Sequence, residues 1–236
     1  MNALSTEAIR DRLRHNRRLA DRLVISPLLN EHTQAKDGQA AVDVRLGFEF
    51  CLVVASSFGA ISEFGAKPTK PNSAGTTVGD FSKLYQRRFI PFGGNIIIHP
   101  HQFVLAQTLE YLRLPPDLMA YVVGRSTWGR LGLIVATAVG IHPNFAGNLT
   151  LELRNLGETP LSLYPGQPIA QLFFHRVRAI DEKPSRQGSP EAQYVGTVDM
   201  IPKKLSDPNT HQTLERLIDY RAASSSLKPR RRGARR

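Results

Sequence analysis

The chain has 236 residues, 41% of them hydrophobic and 22% charged, with a formal net charge of +11. That is enough apolar material for one full core, and a β-rich domain of this size commonly stays undivided, so a single domain with tails is expected. No run of about 18 apolar residues offers a membrane span, and the mixed-charge N-terminus lacks a signal peptide's apolar stretch, which predicts a soluble, cytoplasmic protein.

Residues 1–25 read as an N-terminal helix. Ser5 suits the N-cap, Leu4 and Ile9 have staple spacing, Ile9, Leu13, Ala20 and Leu23 keep one side apolar, and Pro27 marks the exit. The arginines at 10, 12, 14, 17, 18 and 22 are expected on a solvated face. The main domain is placed at 26–203. It opens with "AAVDVRLGFEFCLVVA", short on turn residues and rich in Val, Leu and Phe, the signature of a strand. Cys51 within it is the single cysteine, so no internal disulfide can form and a small core residue is expected.

The Gly-, Ser- and Pro-rich stretch 56–95 reads as an extended, partly ordered insertion. Strand signals resume in "NIIIHPHQFVLAQTLEYLRL", "YVVGR", "LGLIVATA", "NLTLELRNLG" and "IAQLFFHRV". The fold class is therefore mainly all-β. "THQTLERLIDYRAA" predicts a C-terminal helix within 204–223, with Leu214, Leu217 and Ile218 on one side. Residues 224–236 form a basic tail expected to be disordered. Six of the basic residues, Lys228, Arg230, Arg231, Arg232, Arg235 and Arg236, lie in the last nine positions. The excess charge is thus local; a solvated extension is expected ahead of a nucleic-acid arm, whose binding would be salt-sensitive and sequence-blind.

"GRSTWGRLGL" at 124–133 gathers Arg125, Ser126, Thr127 and Arg130 between glycines just before a strand. Guanidiniums bind phosphate bidentately, hydroxyls and free backbone N–H groups add donors, and glycines permit close approach. A phosphorylated small molecule fits such a loop. A tight turn whose arginines pair with surface acids fits it too. In "NLTLELRN", Leu149, Leu151 and Leu153 alternate with Thr150, Glu152 and Arg154, so the polar three share the face away from the core. On the wet side of a sheet Glu152 would do nothing; in a pocket, partial burial would raise its proton affinity and suit it to carry protons. "HPH" at 99–101 lacks an acid or cysteine partner, so no metal site is expected there.

The block "GRSTWGRLGLIVATAVGIHPNFAGNLTLELRNLGETPLSLYPGQPIAQLFF" resembles the central block of dCTP deaminases, a branch of the dUTPase-like superfamily. Weaker similarity runs upstream through "LVISPLL", "VDVRLG" and "HPHQFVLAQTLEYLRLP". The resemblance implies a distorted β-barrel or jelly-roll-like subunit, assembled as a homotrimer with nucleotide sites between subunits. It implies that Arg125, Ser126, Thr127 and Arg130 hold the phosphates and position the base of dCTP, with Thr150, Gln171 and Tyr194 as further nucleotide contacts. It makes Glu152 the general acid/base and the Ala138 carbonyl a partner of the attacking water or the amino group. Ser126 and Arg130 are then candidates to stabilise developing charge, Arg130 also orienting Glu152. Mg²⁺ would accompany the triphosphate. The zinc route of most nucleobase deaminases needs a His/Cys/Cys set, which one cysteine cannot supply.

Two departures stand out. The family's I-D-P turn is "IHP" here, placing His142 where an Asp would bind the sugar; a turn residue without a ligand is the competing reading. The C-terminal lid is represented by "AQYVGT", which keeps Tyr194 but lacks the family's Lys and Gln. The expected activity is deamination of dCTP to dUTP and ammonia. The alternatives are a dUTP or dCTP diphosphatase, a bifunctional deaminase-diphosphatase, and a non-catalytic nucleotide sensor.

Overall fold

The computed structural model describes residues 3–14, 18, 21–28, 31–53, 84–138, 140–178, 200 and 216. The expected lid residue Tyr194, most of the insertion, nearly all of the C-terminal helix and the basic tail lie outside them. Arg216 is helical and exposed.

Helix α1 (Thr6–Leu13) starts as expected: the Ser5 hydroxyl accepts from the Ala8 N–H at 3.3 Å, and Leu4 and Ile9 are both buried. It stops far short of Pro27, however. Arg14 turns to extended geometry, and Val24–Ser26 forms strand β1, paired with Val24 opposite Arg113. Leu23 is buried beside this strand, its N–H donating to the Arg12 carbonyl at 3.0 Å. Its apolar character thus belongs to the core under β1, not to a long helix. Nor are all the arginines solvated. Arg12 is buried and pairs with Asp117 at 2.5 Å, and Arg10 reaches Asp37 and the Ala35 carbonyl. A short helix α2 (Glu31–Gln34) follows.

Strands β2 (Val42–Val53), β5 (Phe103–Arg113), β6 (Leu118–Gly124), β7 (Leu133–Val135), β9 (Ala146–Asn155) and β11 (Pro168–Arg176) occupy the apolar runs, and β8 (Gly140–Ile141) is a short addition. Among the described residues the main sheet runs β7-β9-β5-β2-β11-β6-β8. The two flanks of this path are also joined in sequence through the one-turn helix α3 (Ser126–Gly129), which leads from β6 to β7. Gly124 on β6 lies against Val135 on β7, so close that a Cβ would sit 3.1 Å from a Val135 methyl. The sheet therefore curls until its flanks meet, as a distorted barrel does. Two further strands, β4 (Ile96–Ile98) and β10 (Leu161–Leu163), pair separately.

Strand β3 (Tyr85–Phe89) lies in the later part of the 56–95 insertion and pairs with Glu49–Val53 of β2. Four of its five residues are exposed, so it carries no apolar alternation to betray it. The interior is packed by Phe50, Val104, Ala106, Leu151, Leu153, Leu172 and Phe174. Each fully buried large side chain contributes about 1.5–3 kcal/mol by removal from water. Cys51 points the other way, into a second small cluster with Leu105 and Met200.

Candidate active site

The arginine loop is held by backbone bonds before any side chain is considered. The Arg125 N–H donates to the Ile169 carbonyl at 3.1 Å, and its own carbonyl accepts from the N–H groups of Trp128 and Gly129, both at 3.1 Å. Trp128 Nε1 donates to the Pro168 carbonyl at 3.0 Å, tying α3 to the start of β11. Ser126, Thr127 and Arg130 are left exposed on the outside of the turn. Two of the loop's glycines serve packing. Gly132 has φ +91°, and a Cβ there would lie 2.5 Å from the Gly157 nitrogen, while Gly124 makes room for Val135. Gly129 faces open space.

Arg125 does pair with an acid, but a buried one. Its Nη1 binds Oδ2 of Asp43 on β2, whose side chain is 4% exposed. The same carboxylate accepts from Gln171 Nε2 at 2.9 Å through Oδ1, and Lys36 Nζ lies 3.8 Å away. Register explains the meeting: Gln171 stands directly between Asp43 on β2 and Val123 on β6. Beneath it, Arg45 and Glu110 form a second buried pair, Nε to Oε1 at 2.6 Å. Arg45 also donates to the Pro27 carbonyl at 2.7 Å, and Gln34 Nε2 spans Glu110 Oε1 and the Asp43 carbonyl. Asp43 is the residue that sequence reasoning missed. The signal was present: Asp43 and Arg45 alternate with Val42, Val44 and Leu46 at the start of a strand, and buried charge demands a partner.

Glu152 lies on β9 with Thr150 and Arg154, and burial alternates along Leu149–Arg154, leucines in and these polar residues out. Its N–H donates to Thr137 Oγ1 at 2.8 Å, and its carbonyl accepts from Ala136 at 2.7 Å. The Thr137–Ala138 segment is thereby laid along the strand that carries the carboxyl. Partial burial pushes the Glu152 carboxyl above the ordinary carboxylate range. Thr150 is half-buried opposite Gln107, and Ala138 is exposed. His142 is exposed too, its carbonyl accepting from the Phe145 N–H at 3.3 Å.

Arg125 and Gln171 are thus brought together by Asp43, and Glu152 is brought to Thr137. Among the described residues no hydrogen bond or ion pair joins Arg130 to Glu152. His99 and His101 form the turn between β4 and β5. No group of three His, Cys, Asp or Glu side chains suited to a metal occurs among the described residues.

The dCTP deaminase-like family model matches residues 3–177. The chain belongs to the dCTP deaminase-like family. It is 34% identical over 186 residues to a dUMP-forming dCTP deaminase of Methanothermobacter thermautotrophicus, covering 78% of this chain and 87% of that relative. A dCTP deaminase of Halorubrum lacusprofundi is 35% identical, covering 80% and 87%. The fold matches a solved 2'-deoxycytidine 5'-triphosphate deaminase from Agrobacterium tumefaciens with a TM-score of 0.52 at 20% identity, over 75% of this chain. The chain spans 46% of that solved protein's length. Within the family's fold the Asp43 cluster sits where β2, β11 and β6 run side by side, and Glu152 sits on β9 beside β7. No helix among the described residues is long and apolar enough to cross a membrane.

Proposed function

We propose that the protein is a cytoplasmic enzyme that deaminates dCTP by a hydrolytic route in which Glu152 carries the protons. A half-buried carboxyl with raised proton affinity, set beside the Thr137–Ala138 backbone on the strand next to the arginine loop's exit, is the observation that carries this. The names borne by its relatives support the substrate. Glu152 takes a proton from a water whose oxygen bonds to C4 of the cytosine. It passes that proton to N3, then takes the remaining proton from the C4 hydroxyl and delivers it to the amino nitrogen; the C4–N bond breaks, the C4 carbonyl forms and ammonia leaves, giving dUTP. A carboxyl whose proton affinity is raised by burial can work in both directions. Arg125, Ser126, Thr127 and Arg130 would take the triphosphate, which Mg²⁺ would accompany. Arg125 is held in place for this by Asp43, with Gln171, Thr150 and Tyr194 as further contacts and His142 at the sugar.

We also propose a homotrimer with the nucleotide between subunits. The exposed Ser126, Thr127 and Arg130 suit a site that a neighbouring copy completes, and native mass spectrometry tests it. A second reading, a bifunctional enzyme that continues to dUMP, is favoured by the dUMP-forming names of several relatives. His142 in place of an acid speaks against it. Incubation with dCTP and Mg²⁺, assayed for ammonia and pyrophosphate, decides: ammonia alone fits the main proposal and both products fit the second. Pyrophosphate alone marks a diphosphatase, and neither product a nucleotide sensor.

A further inference from the structure

The face of the sheet that carries Glu152 is wet at one side and dry at the other. Toward β7, Arg154 is exposed and Ile134, directly opposite it, is 41% exposed. In the other direction the row through Glu152 runs to Leu105 on β5, then Cys51 on β2, then Arg87 on β3, each directly opposite the last. Leu105 and Cys51 lie on the outer side, since their neighbours Val104, Ala106 and Phe50 fill the main core. They are nonetheless 4% and 0% exposed, and Met200, itself 3% exposed, packs on both with Tyr85 and Phe103 at the margin. Glu152 stands at the border of this dry patch.

We propose that Met200 is a positioning residue for Glu152: by closing the Leu105–Cys51 patch in the strand row that holds the carboxyl, it keeps water from the apolar side of that group. Among the described residues the other groups facing Glu152 are Thr150 and Arg154 on its own strand, Phe103, Leu105 and Gln107 on β5, Ala136 and Thr137 beside β7, and Arg87 at the far end of the row. Among these only Arg154 and Arg87 are cationic. Arg154 lies on the exposed side and Arg87 lies three strands from the carboxyl, so neither replaces the patch as the source of dryness. A polar side chain at 200 would admit water, lower the carboxyl's proton affinity and weaken it as a base.

The catalytic consequence rests on the deaminase proposal, but the positioning role is measurable without it. A carboxyl-carbon NMR titration of glutamate-labelled protein, with Glu152→Gln to assign the resonance, reads the Glu152 midpoint directly. Met200→Gln should lower that midpoint by about half a pH unit. The acid limb of kcat for ammonia release should move down with it while KM holds. Met200→Leu should leave both in place. An unmoved midpoint in folded Met200→Gln overturns the proposal, and so does an equal shift in Met200→Leu. Should Met200→Gln fail to fold, the nearly isosteric Cys51→Ser should produce a smaller fall, and no fall there overturns it as well. A midpoint that shifts as expected in a protein releasing no ammonia from dCTP supports the role of Met200 and defeats the deaminase proposal alone.

Discussion

Arg125 reaches a carboxylate that is 4% exposed and shared with Gln171, whereas Glu152 is held, among the described residues, through its backbone, beside Leu105 on β5 and by Thr137 and Ala136. Around Asp43, charge meets charge inside the sheet, and a second buried pair, Arg45 with Glu110, lies behind it. Around Glu152 the neighbours are Leu105 opposite and a threonine hydroxyl beside the backbone. The difference follows from the tasks proposed for the two regions. Gripping a triphosphate requires guanidiniums whose positions are settled before the ligand arrives, because ordering them afterwards would consume binding energy. Moving protons requires a carboxyl without a permanent cationic partner, since an adjacent guanidinium would favour the ionised form and make it a poor base.

The largest expected effect tests the chemical half alone. Glu152→Gln keeps shape and hydrogen-bonding capacity but cannot exchange protons, so ammonia release from dCTP should fall by about 10²–10⁴-fold, with nucleotide affinity by calorimetry nearly unchanged. A variant that still turns over removes Glu152 from the chemistry. Asp43→Ala should do the reverse. It strands a half-buried guanidinium and leaves Gln171 without an acceptor, which costs about 3 kcal/mol and lowers the melting temperature by roughly 10 °C. KM for dCTP should rise at least about tenfold while kcat changes less. Asp43→Asn retains an acceptor for Gln171 and should lose less stability; a KM equal to that of the unsubstituted protein in both variants would show that Arg125 needs no anchor.

The β9 half was legible because its pattern is local: alternating leucines in "NLTLELRN" announce both the strand and the outward face of Glu152. The Asp43 half was not, because Asp43 on β2, Gln171 on β11 and Arg125 just after β6 are far apart in sequence and meet only through the pairing of those strands. Similar reasons explain the other differences. Leu23 continues a helical spacing, yet it is buried through the pairing of β1 with β5; tertiary contact outweighs periodicity there. Strand β3 is an exposed strand whose Gln86, Arg87 and Arg88 look like loop. The second core cluster needed Met200, a residue 149 positions from Cys51 and 95 from Leu105.

Gly132 links the two regions and should break both. It takes the loop from α3 to β7 with φ +91°, and a side chain would strike the Gly157 backbone. Gly132→Ala therefore costs about 2–3 kcal/mol in strain and displacement. Because the loop holds Arg125 at one end and leads into the strand beside Glu152 at the other, kcat and KM should both worsen, unlike the split expected for the single-region variants.

The smallest effect is the most selective, because it reads the environment of Glu152 through stability. Burial raises its affinity for protons in the folded chain, so the folded state carries an extra cost once the carboxyl ionises. The stabilising contribution of the protonated form is fully present below the unfolded carboxyl's range and is lost as pH rises through the raised folded value. Glu152→Gln escapes that loss. It should melt slightly above the unsubstituted protein at neutral pH, with the advantage shrinking to nothing in acid, as expected where an active-site group is held at some expense to stability. A melting difference that stays constant with pH would mean that the carboxyl is as well solvated as any surface glutamate, and the contrast between the two halves of the site would then rest on Asp43 alone.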